Sequence, residues 1–474
     1  MTAGERPFAL RIAGSLRDPS GYVFERDGAV YRAVDEECAS VIRRLEEGGL
    51  LGALVAERKV VATSFVPDAE ATALSADHSG YHRFLRHERL DTISFPYEWS
   101  ASMLADAGLL TLDLQLRLLE QGCALKDGTA YNVQFDAGRP VFIDLASFEQ
   151  PPRLDAWFAL GQFHRMFTFP LLLLRHRGWD LRSYFLGAPD GRTERQVADA
   201  WGPVSRWHPR LLLDVTLPAL MSDRPRPGGS RKPDQAKADP RQMDPTAQQV
   251  NLRRIRRKVA GLAEGYRPGG VWAGYKPSQS YSGAEGRKRE IVARMLGAAK
   301  PARVLDVGCN TGEYSYLAAE LGASVVAVDG DHDAVEMLYR RLRSKPAAIV
   351  PLVVDVANPS PAIGYRNNER PRFNDRIRSD CVLALAVLHH LVVSAGLTLA
   401  AVRDLLADLT TDHLILEVVP RTDHMFERLM AVRRELTETV SVDRCRMLFQ
   451  EGFTLVAEEP VEGTERVLLH LRRR

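Results

Sequence analysis

The stretch Arg303–Gly322, RVLDVGCNTGEYSYLAAELG, decides the fold that we predict for this chain. The mostly apolar RVLDV predicts a buried strand, and the glycine-bearing turn after it opens a helical pattern. A strand, a glycine turn and a helix in this order are typical of the place where a doubly wound sheet binds its ligand. We therefore expect a ligand site at the end of this strand.

Strand patterns alternate with helical patterns through the C-terminal half of the chain. The strand patterns are RVLDV, SVVAV, IVPLVV, CVLALAV, HLILEVV, FTLVAE and RVLLHL. This alternation predicts βαβ units and a parallel sheet flanked by helices. Only EPVEGTE joins the last two strands, which is too short for a parallel crossover, so the final strand should run antiparallel to its neighbour. The prediction is a seven-stranded, Rossmann-like α/β domain.

The glycine spacing of the turn disfavours NAD and FAD. A dinucleotide-binding turn needs glycine at its first, third and sixth positions, which here are Gly308, Asn310 and Glu313. A glutamate close to a pyrophosphate, where the helix should also press on the strand, is unfavourable on both counts. Gly312 comes one residue too early for that pattern.

The order Asp306-x-Gly308-x-Asn310-x-Gly312 instead resembles motif I of the class I S-adenosylmethionine-dependent methyltransferases. In that family the loop passes under a cofactor that carries no phosphate. The resemblance implies that these four residues line the methionine and ribose side of S-adenosyl-L-methionine. Asn310 stands where the family usually has glycine, and asparagine tolerates unusual backbone dihedrals better than most residues.

Two acids at strand ends extend the resemblance. Asp329 ends the second strand in VVAVDGD, where the family uses a carboxylate to accept both ribose hydroxyls. Asp355 ends the third strand in LVVDVANPSP, where an acid faces the adenine amino group. Trp272, Tyr275 and Tyr281 precede motif I and are interpreted either as a lid over the sulfonium or as packing of a helix on the sheet.

Three residues are candidates for chemistry on the methyl acceptor. His389 and His390 follow the fourth strand in LALAVLHHLVV, and Glu417 closes the fifth strand in LILEVV. Any of them could act as a general base that removes a proton from the acceptor oxygen or nitrogen. Each also has an ordinary structural interpretation, as a packed histidine or as a buried strand-end carboxylate.

Composition limits the class of protein. The chain has 474 residues, which suggests two or three domains, and its 63 Lys and Arg nearly balance its 61 Asp and Glu. We therefore expect no nucleic-acid or membrane partner. The five cysteines form no Cys-x-x-Cys pair, so we expect no metal site and no disulfide framework. No signal peptide or apolar run of ~20 residues is apparent, which predicts a cytoplasmic protein.

A change in composition divides the chain. Residues 222–249 are rich in Pro, Gly, Lys, Arg and Asp and are interpreted as a linker between a domain at 1–221 and a domain at 250–474. Within the first domain, YVFERDGAVYRAV predicts a hairpin, and helices are expected from Glu36 to about Glu47 and through SASMLADAGLLTLDLQLRLLEQG. The cluster RRIRRK, Arg253–Lys258, is expected to be a solvated helix face.

The stretch LKDGTAYNVQFDAGRPVFIDL, Leu125–Leu145, resembles the catalytic and metal segments of protein kinases and small-molecule phosphotransferases. That resemblance implies Asp127 as acceptor of the substrate proton and Asn132 and Asp144 as metal ligands. The phosphate-covering glycine loop is not found, and Arg32 stands where the phosphate-pairing lysine is expected, with Lys59 as an alternative. We predict an α+β kinase-like domain that helps recognise substrate; an active kinase and a coincidental similarity remain open.

Segments from both halves resemble the class I methyltransferases related to the nodulation protein NoeA. They include ISFPYEWSASMLADAGLLTLDLQL, LALAVLHHL and EVVPRTDHMFERLM. This resemblance implies methyl transfer to a small molecule or a biosynthetic intermediate and leaves the acceptor and the oligomeric state open. Transfer of the aminocarboxypropyl group of the same cofactor, and a binding or scaffold protein without activity, are the alternatives.

Overall fold

The computed structural model describes residues 11–15, 18, 20–222, 244–269, 282–423, 426, 430 and 440–474. Trp272, Tyr275 and Tyr281 lie outside these residues, as does most of the predicted linker at 222–249. The described chain forms an N-terminal α+β part and a C-terminal α/β part.

The N-terminal part contains a four-stranded antiparallel sheet. Its strands are β1 (Gly21–Arg26), β2 (Ala29–Val34), β3 (Thr63–Phe65) and β4 (Arg83–His87), in the order β1-β2-β4-β3. The predicted hairpin joins β1 to β2, and its turn residues Asp27 and Gly28 have φ of 51° and 76°, as a two-residue hairpin turn requires. Two further pairs are β5 (Ala124–Leu125) with β8 (Phe148–Glu149) and β6 (Val133–Asp136) with β7 (Arg139–Phe142).

Eleven α-helices lie between residues 36 and 264 of the described chain. They are α1 (Glu36–Glu47), α2 (Leu50–Ala56), α3 (Asp68–Asp77), α4 (Ala101–Leu119), α5 (Leu160–Phe163), α6 (Phe169–Arg177), α7 (Leu181–Gly187), α8 (Glu194–Trp201), α9 (Pro209–Leu211), α10 (Leu217–Ser222) and α11 (Thr246–Glu264). The helices predicted at 36–47 and through 101–119 are confirmed. Helix α4 is buried on nearly all sides, which explains why its sequence is apolar around most of the helix.

Helix α11 begins inside the stretch predicted as linker and packs on the N-terminal part. Arg256 Nε lies 2.7 Å from Asp113 Oδ1 on α4, and Lys258 Nζ lies 2.7 Å from Asp214 Oδ2. Arg254 also binds the buried Asp214. The expectation of a solvated face is therefore wrong for Arg254 and Lys258, because a buried carboxylate requires cations beside it.

The C-terminal part is a seven-stranded sheet flanked by helices. Its strands are β9 (Arg303–Val307), β10 (Ser324–Asp329), β11 (Ile349–Val353), β12 (Ser379–Ala384), β13 (Thr410–Val418), β14 (Phe453–Pro460) and β15 (Val467–Arg473), in the order β11-β10-β9-β12-β13-β15-β14. Strands β9 to β13 are parallel, and β15 is antiparallel to both of its neighbours. The predicted Rossmann-like sheet with a reversed final strand is confirmed.

The helices of this part are α12 (Ser282–Ala299), α13 (Glu313–Glu320), α14 (His332–Ser344), α15 (Phe373–Arg376), α16 (Leu388–Val393), α17 (Leu399–Leu409) and α18 (Val442–Phe449). Among all the described helices, none combines the length and the apolar character that crossing a membrane requires.

Helix α14 joins the two parts. Its Glu336 is fully buried and accepts hydrogen bonds from the Ser102 backbone N–H at 2.8 Å and from Ser102 Oγ at 2.6 Å, in the first turn of α4. Tyr339 Oη donates to Asp106 Oδ2 at 2.7 Å. Because α14 follows β10 directly, this contact connects the start of α4 to the end of the sheet where the ligand site is expected.

Candidate functional site

The loop after β9 is held in an unusual backbone conformation. Gly308, Asn310 and Gly312 have φ of 72°, 49° and 84°. Glycine adopts this region readily, and asparagine is among the residues that tolerate it. The asparagine that departs from the usual motif thus fits the observed backbone. The Gly308 N–H donates to Val328 O at 2.9 Å, which fixes the loop to β10.

Close packing also requires glycine at two of these positions. A Cβ atom built on Gly308 would lie 3.1 Å from Val387 Cγ2, and one on Gly312 would lie 2.4 Å from Leu338 Cδ1. The Val387 contact places the segment before α16 directly against the loop. The Leu338 contact brings α14 against the start of α13.

Asp306 lies beneath the loop. It is 2% exposed, and its Oδ2 accepts a hydrogen bond from Ser315 Oγ of α13 at 2.5 Å. Burial raises the pKa of Asp306 to about 6. Its visible role is to hold α13 to the end of β9, and the sequence pattern did not reveal Ser315 as its partner.

Asp329 and Asp355 lie at neighbouring strand ends, as predicted. Asp329 Oδ2 accepts from the Asn310 N–H at 2.9 Å and its Oδ1 from the Asp331 N–H at 2.8 Å. Burial raises the pKa of Asp329. An ionised carboxylate offers about four acceptor sites, so both oxygens can accept further donors such as a pair of hydroxyls. Asp355 is exposed, and its Cβ would lie 3.7 Å from a Cβ built on Gly330.

His389 and His390 lie side by side in α16, with ring centroids 4.3 Å apart. His389 is 4% exposed, and no described residue offers a hydrogen-bond partner to its Nδ1. Burial lowers the pKa of His389 to about 3 and also lowers the pKa of His390. A neutral imidazole with so low a pKa is a good hydrogen-bond acceptor but a weak general base near neutral pH.

Glu417 is enclosed by cations. It is fully buried, with Oε2 2.7 Å from Lys288 Nζ and Oε1 3.4 Å from Arg466 Nη1. Arg466 Nε also lies 2.9 Å from Asp423 Oδ2. Lys288 and Arg466 were not predicted from the sequence. A buried strand-end carboxylate does demand a counter-cation, but the sequence gives no indication of which Lys or Arg supplies it.

The three polar residues of the LKDGTAYNVQFDAGRPVFIDL stretch are also brought together. Asn132 Nδ2 donates to Asp144 Oδ2 at 3.1 Å. Burial raises the pKa of Asp127, and the charge of Asp144 adds to that rise. Arg32 Nη1 lies 2.7 Å from Asp144 Oδ1 and 3.1 Å from Asp18 Oδ2. Arg32 is therefore part of this cluster.

The alternative, Lys59, pairs with Glu57 at 3.0 Å and is not part of this cluster. Among the described residues, no three His, Cys, Asp or Glu side chains form a group that could hold a metal ion.

The loop at the carboxyl edge of the sheet fits a cofactor with hydroxyl groups and without phosphate. The carboxylate of Asp329 at the end of β10 can accept hydrogen bonds from hydroxyl groups and repels phosphate. S-adenosylmethionine has the required ribose hydroxyls and carries no phosphate.

Comparison with known proteins agrees with this geometry. Residues 282–456 match the family model described as a methyltransferase domain. Over 472 residues the chain is 32% identical to the nodulation protein NoeA of Rhizobium meliloti (strain 1021), which covers 98% of this chain and 96% of that protein.

Two solved structures are similar over part of the chain. The N-methyltransferase NodS from Bradyrhizobium japonicum WM9, in complex with S-adenosyl-L-homocysteine, is 13% identical, with a TM-score of 0.33, over 42% of this chain and 94% of NodS. The magnesium protoporphyrin IX methyltransferase ChlM from Synechocystis PCC 6803, with bound S-adenosylhomocysteine, is 18% identical, with a TM-score of 0.32, over 48% of this chain and 94% of ChlM.

The motif I loop, the strand-end acid Asp329, the methyltransferase domain and the identity to NoeA along nearly the whole chain lead to one assignment. The chain belongs to the nodulation protein NoeA family and is an S-adenosylmethionine-dependent methyltransferase.

Proposed function

We propose that the C-terminal part transfers a methyl group from S-adenosylmethionine to a small-molecule acceptor held at the carboxyl edge of the sheet. The observation that carries this proposal is the contact of Val387 with Gly308, because it sets the two histidines of α16 beside the cofactor loop. An acceptor bound next to α16 would then lie close to the cofactor.

Different residues would bind the cofactor, orient the methyl acceptor and take its proton. Bound S-adenosylmethionine supplies an electrophilic methyl group. Asp329 would accept hydrogen bonds from the ribose hydroxyls. The carboxyl edge of the sheet would hold the methyl acceptor in line for displacement. His389, whose Nδ1 has no hydrogen-bond partner among the described residues, accepts a hydrogen bond from the acceptor N–H or O–H and so orients it. His390 is the less buried of the two histidines and is therefore the better placed to take a proton, although burial lowers its pKa as well.

In this proposal Glu417 has a structural role beside the acceptor site. Its two oxygens already face Lys288 and Arg466, so it keeps the start of α12 and the final strand in place around the site. A carboxylate whose two oxygens both face cations has few acceptor positions left for the substrate.

The N-terminal part is proposed to help recognise the acceptor. Arg370, in the segment after β11, lies with its guanidinium carbon 3.6 Å from the centroid of the Tyr131 ring. Arg182 Nη2 donates to Pro359 O at 3.3 Å. The segment that begins at Asp355 is thus packed against the LKDGTAYN stretch, which supports a shared wall for the acceptor.

We further propose that the N-terminal cluster does not phosphorylate. Arg32 neutralises Asp144 and Asp18 together, and Asp144 is the residue that would otherwise carry a metal ion. Calorimetry with ATP and magnesium tests this point. No heat is expected from the wild type, and binding that disappears in Asp144→Ala would instead favour an active phosphotransferase.

The experiment on methyl transfer uses cofactor labelled on the methyl group and an extract of the source cells separated by size. Label is expected in a low-molecular-weight product, resolved from the cofactor by chromatography, with the wild type and in no product with Asp329→Ala. Label in protein or nucleic acid would contradict a small-molecule acceptor. Cofactor labelled in the carboxyl group should leave the product unlabelled, because its appearance there would mean aminocarboxypropyl transfer.

A further inference from the structure

We propose that a basic pocket formed by α6, α9 and α11, on the N-terminal part, binds a phosphate ester that bears a small apolar group. The pocket encloses about 310 Å³ and is lined by five Arg or Lys side chains and a single carboxylate. The cationic residues are Arg175, Arg210, Arg254, Arg257 and Lys258, and the carboxylate is Asp214.

Most of the ion pairs between lining residues lie at the floor of the pocket. Asp214 is 3% exposed and binds Arg254 Nη2 at 2.5 Å and Lys258 Nζ at 2.7 Å. Arg175 Nη1 donates to Gly261 O at 2.5 Å, which fixes its guanidinium at the wall. One carboxylate therefore serves two cations and leaves the pocket with a surplus of positive charge.

Arg210 and Arg257 carry that surplus. Within the part of the chain that the structure describes, neither guanidinium has a hydrogen bond or an ion pair with another residue. Both residues are exposed and both line the same pocket. Two guanidinium groups without carboxylates, converging on one concave surface, are suited to the oxygens of a phosphate because each can donate a pair of parallel hydrogen bonds.

His176 supports the presence of a positive field inside the pocket. Its pKa is lowered by burial and then by the charges of Arg175 and Arg210. An anion bound between these arginines would offset their charge, so the pKa of His176 should rise on binding. This gives a signal that originates inside the pocket.

Three leucines give the pocket apolar surface beside its cations. The pocket is lined by Leu172, Leu213 and Leu262. Leu213 is 57% exposed, so its side chain is open to a ligand. A volume near the lower end of the range for small-molecule sites admits a phosphate with one small apolar group rather than a nucleotide. The ester could be a soluble metabolite or the headgroup region of an anionic lipid, since both present the same chemistry.

Calorimetry with phenyl phosphate tests the proposal, with benzoate as the ligand of the same ring and lower charge. The wild type should bind phenyl phosphate at least about tenfold more tightly than benzoate, and Arg210→Gln and Arg257→Gln should each weaken that binding by about tenfold or more. Arg253→Gln is the matched control, because Arg253 is exposed on α11 and does not line the pocket. It should bind as the wild type does.

Two further experiments distinguish a soluble phosphate ester from a lipid headgroup and test for non-specific binding. In NMR titrations phenyl phosphate should raise the pKa of His176 in the wild type and in Arg253→Gln. Co-sedimentation with vesicles of equal parts phosphatidylcholine and phosphatidic acid, lost in Arg210→Gln and in Arg257→Gln but kept in Arg253→Gln, would identify a lipid headgroup as the natural source. No binding of either probe, or an equal loss of binding in Arg253→Gln, would overturn the proposal.

Discussion

Gly312 is the residue of the cofactor loop at which a side chain is least tolerated. Its φ of 84° disfavours any L-residue, and a Cβ atom would lie 2.4 Å from Leu338 Cδ1. Gly286, on the exposed side of α12, has no heavy atom within 4 Å of such a Cβ. The two glycines therefore form a matched pair for substitution.

We predict that Gly312→Ala destabilises the C-terminal part by about 2 kcal/mol or more, because it combines backbone strain with a steric clash against α14. Gly286→Ala should instead leave stability unchanged or raise it by about 0.5–1 kcal/mol, since alanine favours the helix. Urea unfolding of both variants checks this. Equal stability of the two variants would mean that the loop is not constrained as described.

His389 gives a second prediction at the residue scale. Because burial lowers its pKa to about 3, its ring should remain neutral throughout the range in which an enzyme of this kind is assayed. The NMR signal of its ring Hε1 proton should stay constant from about pH 8 to about pH 5, whereas a histidine with an ordinary pKa of about 6.5 would titrate there. His389→Gln identifies the signal. A midpoint between about pH 6 and pH 7 would restore His389 as a candidate base.

The residues of the cofactor loop could be predicted from the sequence because their spacing is local. Gly308, Asn310 and Gly312 follow one strand, and Asp329 ends the next, so strand order alone brings them together. Lys288 and Arg466 could not be predicted in the same way. They reach Glu417 from a helix before the sheet and from the segment leading into its last strand, and nothing local to either residue indicates that meeting.

At the scale of elements, the contact between α4 and α14 links the two parts of the chain. Glu336 of α14 accepts two hydrogen bonds from Ser102 at the first turn of α4, where the helix leaves backbone N–H groups without helical partners. A carboxylate at this end of α4 also interacts favourably with the helix dipole. Arg340 Nε donates to Glu336 Oε1 at 2.6 Å and completes the arrangement.

We predict that Glu336→Ala lowers the free energy of unfolding by about 2–3 kcal/mol, because it leaves the buried Ser102 N–H and hydroxyl without acceptors. Hydrogen exchange should rise in the first turn of α4 and in α14 together. Glu320→Ala is the control, since its side chain is 49% exposed and its pairs with Arg289 and Lys345 lie at the surface. It should cost less than about 1 kcal/mol. Faster exchange in α14 alone would argue against coupling between the parts.

The individual elements were more predictable than their assembly. The hairpin of β1 and β2, helices α1 and α4, and the seven strands of the C-terminal sheet all follow local periodicity or turn chemistry. Helix α11 was missed at its start because its first residues, Thr246–Gln249, are polar and follow a Pro- and Gly-rich segment. It packs on the N-terminal part through its buried apolar residues and through ion pairs with Asp113 and Asp214, which are distant in sequence.

At the scale of the whole molecule, buried histidines determine the response to acid. Burial lowers the pKa of His87 and His389 to about 3 and the pKa of His164 and His470 to about 4. The unfolded chain takes up protons at these residues as the pH falls through about 6.5, whereas the folded chain does not until about pH 4 or below. Asp306 acts in the opposite direction between about pH 6 and pH 4, because its pKa is raised to about 6.

We predict that stability is greatest above about pH 6.5 and decreases as the pH is lowered towards 5, since in the described chain the seven histidines whose pKa is lowered outnumber the four carboxyl groups whose pKa is raised. Each histidine that is protonated in the unfolded chain and neutral in the folded chain lowers the free energy of unfolding by up to about 1.4 kcal/mol per pH unit. Urea midpoints measured from about pH 7.5 to about pH 5 check the sign and size of the effect. A stability that stays constant or rises over this range would show that these histidines are protonated in the folded chain.

The central claim is that Asp329 and the loop after β9 form the S-adenosylmethionine site, and calorimetry with S-adenosylhomocysteine tests it most directly. The wild type should bind, and Asp329→Ala should bind about a hundredfold less tightly because two hydroxyl hydrogen bonds to a carboxylate are lost. Asp404→Ala, which removes a carboxylate that is 68% exposed on α17, should bind as the wild type does. Absence of binding by the folded wild type, or unchanged affinity in folded Asp329→Ala, would contradict the account.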